Sequence, residues 1–243
     1  MKHFLLILAL VGCGEPAEEK AAKAKTAEEA YVLEVAIRKE IEKPTGELTD
    51  VDLEKVTYLK LGGNHLTEVK GLENLTQLKV LYLGSNQLTS VQGLENLTQL
   101  KELWLHRNQL TSVQGLEKLT QLKNLVLNSN QLTSVQGLEK LTHLKYLWLD
   151  RNQLTDVKGL EKLTQLTQLY LQRNRLTEVT RLEKLTQLTE LYLNSNQLTD
   201  VTGLEKLTQL TELNLKDNSD LNKAQIDQLP KALPNCEIID DYD

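Results

Sequence analysis

The sequence predicts an α/β repeat solenoid: an arc of stacked, near-identical units, each giving one short strand to a concave parallel β-sheet, with helical caps at both ends. Three observations predict it. Leucine or valine recurs every 22 residues, at positions 56, 78, 100, 122, 144, 166, 188 and 210. A Leu-x-Leu pair follows three and five residues later, as in Leu81/Leu83, Leu103/Leu105 and Leu147/Leu149. An asparagine then recurs at Asn64, Asn86, Asn108, Asn130, Asn152, Asn174, Asn196 and Asn218. A fixed period of this length is the signature of a solenoid, in which one unit cannot bury its leucines alone and must stack on its neighbours.

Seven full repeats fill residues 56–209 and an eighth opens at Leu210, so the solenoid is assigned to 56–218. Alternation along each strand sends Leu81 and Leu83 into the stack and Val80, Tyr82 and Gly84 outward. The asparagine stands where the chain leaves the strand, and its amide suits backbone groups of adjacent turns that would otherwise be buried unpaired. Gly71, Gly93, Gly115, Gly137, Gly159 and Gly203 mark tight bends. Arg181 interrupts that column, so its bend should differ.

These residues match Leu-x-x-Leu-x-Leu-x-x-Asn-x-Leu and resemble the leucine-rich repeats. The 22-residue length and the second half, Leu88-Thr-Ser-Val91-Gln-Gly-Leu94, are most similar to the short bacterial class typified by internalins. The resemblance implies a right-handed arc or horseshoe, with strands inside, 3₁₀ or extended turns outside, and a role in binding.

A stack needs caps, because its ends would otherwise expose leucine. Residues 26–55 read as the N-terminal cap. Thr26-Ala-Glu-Glu29 has the form of a capping box opening a helix, with Leu33, Ile37 and Ile41 on one face and Pro44 ending it. Thr49–Asp52 reads as the start of a second short helix. Residues 219–243 read as the C-terminal cap: a helix from Asn222 to about Leu233, strained or ended by Pro230 and Pro234. Cys236 and Ile238 then repeat the Leu-x-Leu spacing in a last strand, which makes Cys236 a core residue rather than a reactive thiol.

The N-terminus has a different character. In MKHFLLILALVGC, Lys2 precedes an apolar run from Phe4 to Val11 that is too short to span a bilayer and sits where a signal peptide would. Leu10-Val11-Gly12-Cys13 resembles the lipobox of bacterial lipoproteins. That resemblance implies a signal peptide at 1–12, cleavage before Cys13, diacylglycerol on the Cys13 thiol and usually an acylated new N-terminus. The protein would then be a lipid-anchored protein of the cell envelope. Gly14, where aspartate would signal inner-membrane retention, favours the outer membrane in a cell with two. An ordinary secretory signal with an incidental cysteine, or a buried N-terminal strand, is the alternative. Residues 13–25, polar and low in complexity after the cysteine, read as a flexible tether.

A formal charge of −6 argues against nucleic acid, whose phosphates require a dense basic surface. Two cysteines make no disulfide framework. No phosphate-binding loop, metal-ligand spacing or nucleophile motif is present, so no enzyme activity, cofactor or metal is expected. The Glu column from Glu73 to Glu205, with Lys118, Lys140, Lys162, Lys184 and Lys206 beside it, reads as a charge-balanced outer face. The concave columns are where uniformity breaks. Between the strand leucines stand Lys60, Tyr82, Trp104, Val126, Trp148, Tyr170, Tyr192 and Asn214, with Tyr58 and Tyr146 one column over. His106, Arg107, Asp150, Arg151, Gln172 and Arg173 lie alongside. An aromatic stripe beside arginines has the composition of an interface hot spot. The candidate partner-binding residues are therefore Tyr58, Tyr82, Trp104, Arg107, Tyr146, Trp148, Arg151, Tyr170, Arg173 and Tyr192. A protein partner is the leading expectation. A glycan stacking on the same rings, or a structural envelope protein whose aromatics serve stability alone, are the alternatives.

Overall fold

The computed structural model describes residues 17–242. Cys13, the signal segment and the first residues of the assigned tether lie outside them.

Eight repeats and the C-terminal cap each supply one three-residue strand: β1 (Tyr58–Lys60), β2 (Val80–Tyr82), β3 (Glu102–Trp104), β4 (Asn124–Val126), β5 (Tyr146–Trp148), β6 (Gln168–Tyr170), β7 (Glu190–Tyr192), β8 (Glu212–Asn214) and β9 (Glu237–Ile239). They form one parallel sheet in chain order, and register advances by one full repeat per strand, as in Leu81↔Leu103. The chain is so short per turn because the return path is nearly all turn, with 3₁₀ segments at Leu72–Asn74, Leu138–Lys140, Thr180–Lys184 and Leu204–Lys206.

Each repeat buries a ring of apolar side chains: in the second, Leu78, Leu81, Leu83, Leu88, Val91, Leu94 and Leu97 are wholly inaccessible. Burying a leucine or valine contributes roughly 1.5–3 kcal/mol, and the rings of successive repeats merge into one continuous core. The asparagine column makes this possible. Asn130 Oδ1 accepts from the Leu110 N–H of the preceding repeat (3.0 Å), while Nδ2 donates to the carbonyls of Leu105 (3.0 Å) and Leu127 (2.9 Å). The same three bonds recur at Asn108, Asn152, Asn174, Asn196 and Asn218.

The outer-face glutamates have a structural job as well as a solvated one. In each glycine-containing bend the carboxylate accepts the glycine N–H two residues earlier, as Glu95 does from Gly93 (2.7 Å) and Glu139 from Gly137 (2.6 Å). The glycines stand at φ near +100°, a left-handed conformation that disfavours any Cβ. At Arg181 that bend is absent: the 3₁₀ segment starts earlier, at Thr180, and the freed Glu183 pairs instead with Lys206.

The caps differ from expectation in three ways. Helix α1 spans Ala17–Glu40, so Thr26 lies inside it and the capping box does not cap. The Ala/Glu/Lys-rich sequence before Thr26 has strong helix propensity, and residues 17–25 are helix rather than flexible tether. Glu29 instead ties α1 to the solenoid, accepting from the Thr67 N–H and hydroxyl (both 2.8 Å). Leu33 and Ile37 are buried over the first repeat, as predicted. Helix α2 (Asp50–Leu53) has the reciprocal Thr49/Asp52 cap. The Lys43 ammonium at 2.6 Å, with Thr49 behind it, holds the Asp52 carboxyl well below the usual carboxylate range.

At the other end the single helix expected from Asn222 is two: α3 (Lys223–Ile226) and α4 (Leu229–Ala232), with Pro230 in the first turn of α4 where a missing N–H costs nothing. The last strand is shifted by two residues. Ile238, not Cys236, aligns with Leu213, and Asp240 takes the second inward place, accepting from the Tyr242 N–H (2.7 Å). Cys236 is only partly buried against the core, and burial pushes its thiol up to about 11.

Replacing Asn130 by alanine strands the Leu110 N–H inside the stack and takes one of two donors from the Leu105 and Leu127 carbonyls, which keep Asn108 and Asn152. Denaturant unfolding should show a loss of about 1–3 kcal/mol. Gln131→Ala, one exposed residue away, should stay within about 0.5 kcal/mol of the parent. Equal stabilities would refute the role given to the asparagines.

Candidate functional site

The short strands expose two concave positions each, and the bend that follows adds a third and a fourth, so the face consists of four parallel columns. The first holds Tyr58, Glu102, Tyr146, Gln168, Glu190 and Glu212 among others. The second is the aromatic column. The third runs Gly84, His106, Asn128, Asp150, Gln172, and the fourth Ser85, Arg107, Ser129, Arg151, Arg173.

The seven concave aromatics do not project singly into solvent. They stack on one another. Tyr82 and Trp104 have ring centroids 5.2 Å apart, Trp148 and Tyr170 5.3 Å with planes 3° from parallel, and Tyr170 and Tyr192 4.9 Å at 10°. Tyr58 joins at one end, where Lys60 Nζ lies 5.4 Å and 5.8 Å from the rings of Tyr58 and Tyr82. Tyr146 stacks beside Trp148. The gap at Val126 is closed: two strands apart, about 9.6 Å by strand spacing, Trp104 and Trp148 lean together to 6.4 Å. Val126 beneath them is only 4% exposed. The result is a continuous ladder whose rings are half-buried and whose faces are turned toward each other.

At the β6–β8 end the ladder is locked by carboxylates. Tyr170 donates to Glu190 (2.9 Å), which also receives Gln168 Nε2 (2.8 Å). Burial, and then these carboxylates, push the Tyr170 and Tyr192 phenols well above the usual tyrosine range, with Glu212 serving Tyr192. Both rings are neutral donors at any physiological pH.

Next to the middle of the ladder, His106 stands edge-on to Trp104 (6.3 Å, 81°) and lies flat against Gly84. A Cβ on Gly84 would fall 2.2 Å from the imidazole. Gly84 faces outward, as the alternation predicts, but it is buried because the histidine of the next repeat is seated on it. Burial, with the Arg107 charge behind it, holds His106 below its ordinary pKa of 6.5, so the ring is neutral at pH 7. Asp150 is buried too. Burial raises its carboxyl above the ordinary range against the opposing pull of its own N–H, Arg151 and Asn128. Among the described residues, three buried side-chain polar atoms lack a hydrogen-bond partner: Trp104 Nε1, His106 Nδ1 and Gln172 Oε1. All three lie in the central concave columns. A buried polar group without a partner costs roughly 1–3 kcal/mol, and such groups are the ones a ligand can satisfy.

Arg107, Arg151 and Arg173 form the rim. Each has left-handed backbone, φ 52° to 58°, and each N–H donates to a carbonyl of the next repeat (3.0 Å). Their side chains therefore spring from a fixed base into solvent. The structure brings all ten predicted partner-binding residues onto this one face. Reading the sequence did not reveal Gly84, Val126, Glu190 or Glu212 as its supports. Glycine at positions 62 and 84, in a column otherwise filled by His, Asn, Asp, Gln and Lys, was the available signal. No cluster suited to a metal ion occurs among the described residues, and no described helix is long and apolar enough to cross a membrane.

A uniform repeat framework presenting one chemically varied inner face defines a recognition solenoid. Matches to the family model for leucine-rich repeats in two copies cover residues 54–184 and 186–231, and the chain belongs to the leucine-rich-repeat family. Among solved structures it is similar to internalin C2 of Listeria monocytogenes, at 29% identity and a TM-score of 0.77 over 86% of this chain and 92% of that one. A leucine-rich-repeat protein of Leptospira interrogans shares 30% identity with a TM-score of 0.68. That match covers 77% of this chain and 55% of the Leptospira chain. No curated protein sequence matches. The repeats are thus of the internalin-like bacterial type, whose members are typically binding proteins rather than enzymes.

If the His106 ring occupies the space a Gly84 side chain would need, Gly84→Ala should lower stability by about 1–3 kcal/mol. Most of that loss should be recovered in Gly84→Ala/His106→Ala. A Gly84→Ala protein as stable as the parent would contradict this packing.

Proposed function

We propose that the chain binds a protein partner through the concave aromatic face while anchored to the cell envelope by lipid on Cys13. The observation that carries the binding half is the ladder with its unpaired polar atoms. Ring edges, tyrosine hydroxyls and the buried Trp104 and His106 nitrogens sit side by side on a rigid sheet, flanked by arginines, which is the make-up of an energetic hot spot. The same geometry disfavours glycan stacking as the main mode, because a sugar needs an open ring face and here neighbouring rings occupy those faces. The leucine-rich-repeat fold alone specifies no partner; the internalin likeness supports recognition in general. The anchor rests on the Leu10–Cys13 motif.

The binding half is tested by immobilising the chain and passing envelope extract over it. A parallel bait carries Tyr82, Trp104, Trp148 and Tyr170 changed to serine, and a third carries only Tyr→Phe changes, which keep the stack. A protein held by the parent and lost from a folded serine bait is the expected result. Equal capture by all baits, or a glycan that displaces the captured protein by binding the ladder itself, would sink the reading. The anchor half predicts that cells given an alkyne fatty acid label the parent chain, and that Cys13→Ser removes the label. A fully labelled Cys13→Ser chain would overturn it.

A further inference from the structure

The protein is acidic overall, yet the concave trough over β2–β6 is not. On one flank Lys79, Lys101, Lys123 and Lys145 each stand one residue before strands β2 to β5, all exposed. On the other flank are Arg107, Arg151 and Arg173. Among the described residues none of the lysines forms an ion pair, and only Arg151 approaches an acid, Asp150, at 4.0 Å. The carboxylates within this stretch are Glu102 and the buried Asp150. Further along, Glu190 is already engaged by Tyr170 and Gln168. Rows of like charge on strands about 4.8 Å apart repel one another, and within this stretch only Glu102 and Asp150 oppose the repulsion. On the outer face, by contrast, the Lys118–Lys206 column has the Glu95–Glu205 column beside it.

We infer that the ligand seated over β2–β6 is an acidic polypeptide segment, lying along the ladder with its carboxylates toward the arginine flank. This inference rests on the concave-face reading above and names the chemistry of its partner. A guanidinium fork matches a carboxylate in two parallel hydrogen bonds, and each arginine is held at a fixed backbone position. The unpaired atoms also fit a polypeptide: Trp104 Nε1 needs an acceptor and Gln172 Oε1 a donor, and a peptide backbone supplies both. The five strands span about 19 Å, the length of about six extended residues. Beyond them Glu190 and Glu212 turn the face acidic, so the ligand's negative charge is confined to the β2–β6 part.

The test is fluorescence anisotropy on the full chain at low salt, with a labelled ten-residue peptide alternating Glu and Ala and its Gln-for-Glu counterpart. The Glu peptide should bind, lose affinity as salt rises, and be preferred over the Gln peptide by at least about tenfold. Changing Arg107, Arg151 and Arg173 together to Gln should cost about tenfold. Changing Lys118, Lys140 and Lys162 on the outer face to Gln alters net charge equally and should leave binding unchanged. If the arginine variant misfolds, Lys79, Lys101, Lys123 and Lys145→Gln takes its place with the same expectation. No binding, no preference for Glu, or equal losses in the concave and outer variants would overturn the inference. A heparin oligosaccharide that binds where the Glu peptide does not would overturn it in favour of a sulfated polymer. A partner captured from envelope extract and retained by the triple-arginine variant would leave the concave site standing and remove only its acidic ligand.

Discussion

Every repeat must leave its strand, turn through a tight bend and start back along the outside while seven apolar side chains stay out of water. The bend passes through the interior, so its N–H and C=O groups cannot reach solvent. From the second repeat on, one buried asparagine solves this with a single amide, accepting from the repeat before it and donating to one carbonyl of that repeat and one of its own; Asn64, with no repeat before it, is exposed. No other side chain of that size offers an acceptor and two donors in one plane. The leucines supply the driving force for stacking, but the asparagine column lets them stack without leaving backbone unpaired. It also fixes the spacing of repeats, and thus the register of the sheet.

Once that framework is set, the concave columns are free to vary without threatening the core. They vary together rather than one residue at a time. Val126 is small where its neighbours are indoles, and the indoles close over it. Gly84 is absent of side chain where His106 in the next repeat needs room. Glu190 is placed to hold Tyr170 one strand away. Each of these pairs is separated by one or two repeats, so the working unit of this face is the group of neighbouring repeats.

The framework was legible in the sequence because a 22-residue period leaves little choice: the strands, the role of asparagine and the altered bend at Arg181 all follow from which column a residue occupies. Legibility failed where periodicity is degenerate. A strand pattern repeats every two residues, so Cys236/Ile238 and Ile238/Asp240 fit the inward positions equally by spacing; the loop through α3 and α4 sets the register, and it is not 22 residues long. Thr26 and Glu29 have the spacing of a helix cap, but the residues before them favour helix as strongly as those after, so the chain continues through. The site was half-legible. Column assignment put the aromatics on one face; whether the rings face solvent or each other depends on side-chain torsions, which spacing does not carry.

That last distinction changes what the aromatics do. An exposed ring offers about two faces and an edge to any apolar ligand, whereas a stacked ladder offers only edges, hydroxyls and a stiff floor. Such a floor contributes to binding by being already ordered, since its side-chain entropy is spent on folding rather than on meeting a ligand. Selectivity then falls to the groups beside it: the carboxylates holding Tyr170 and Tyr192 at one end, and the basic flanks over β2–β6 at the other. A face that is cationic along one stretch and anionic along the next distinguishes the two ends of any chain laid across it. The repeat, being identical throughout, cannot supply that direction. The departures from it do.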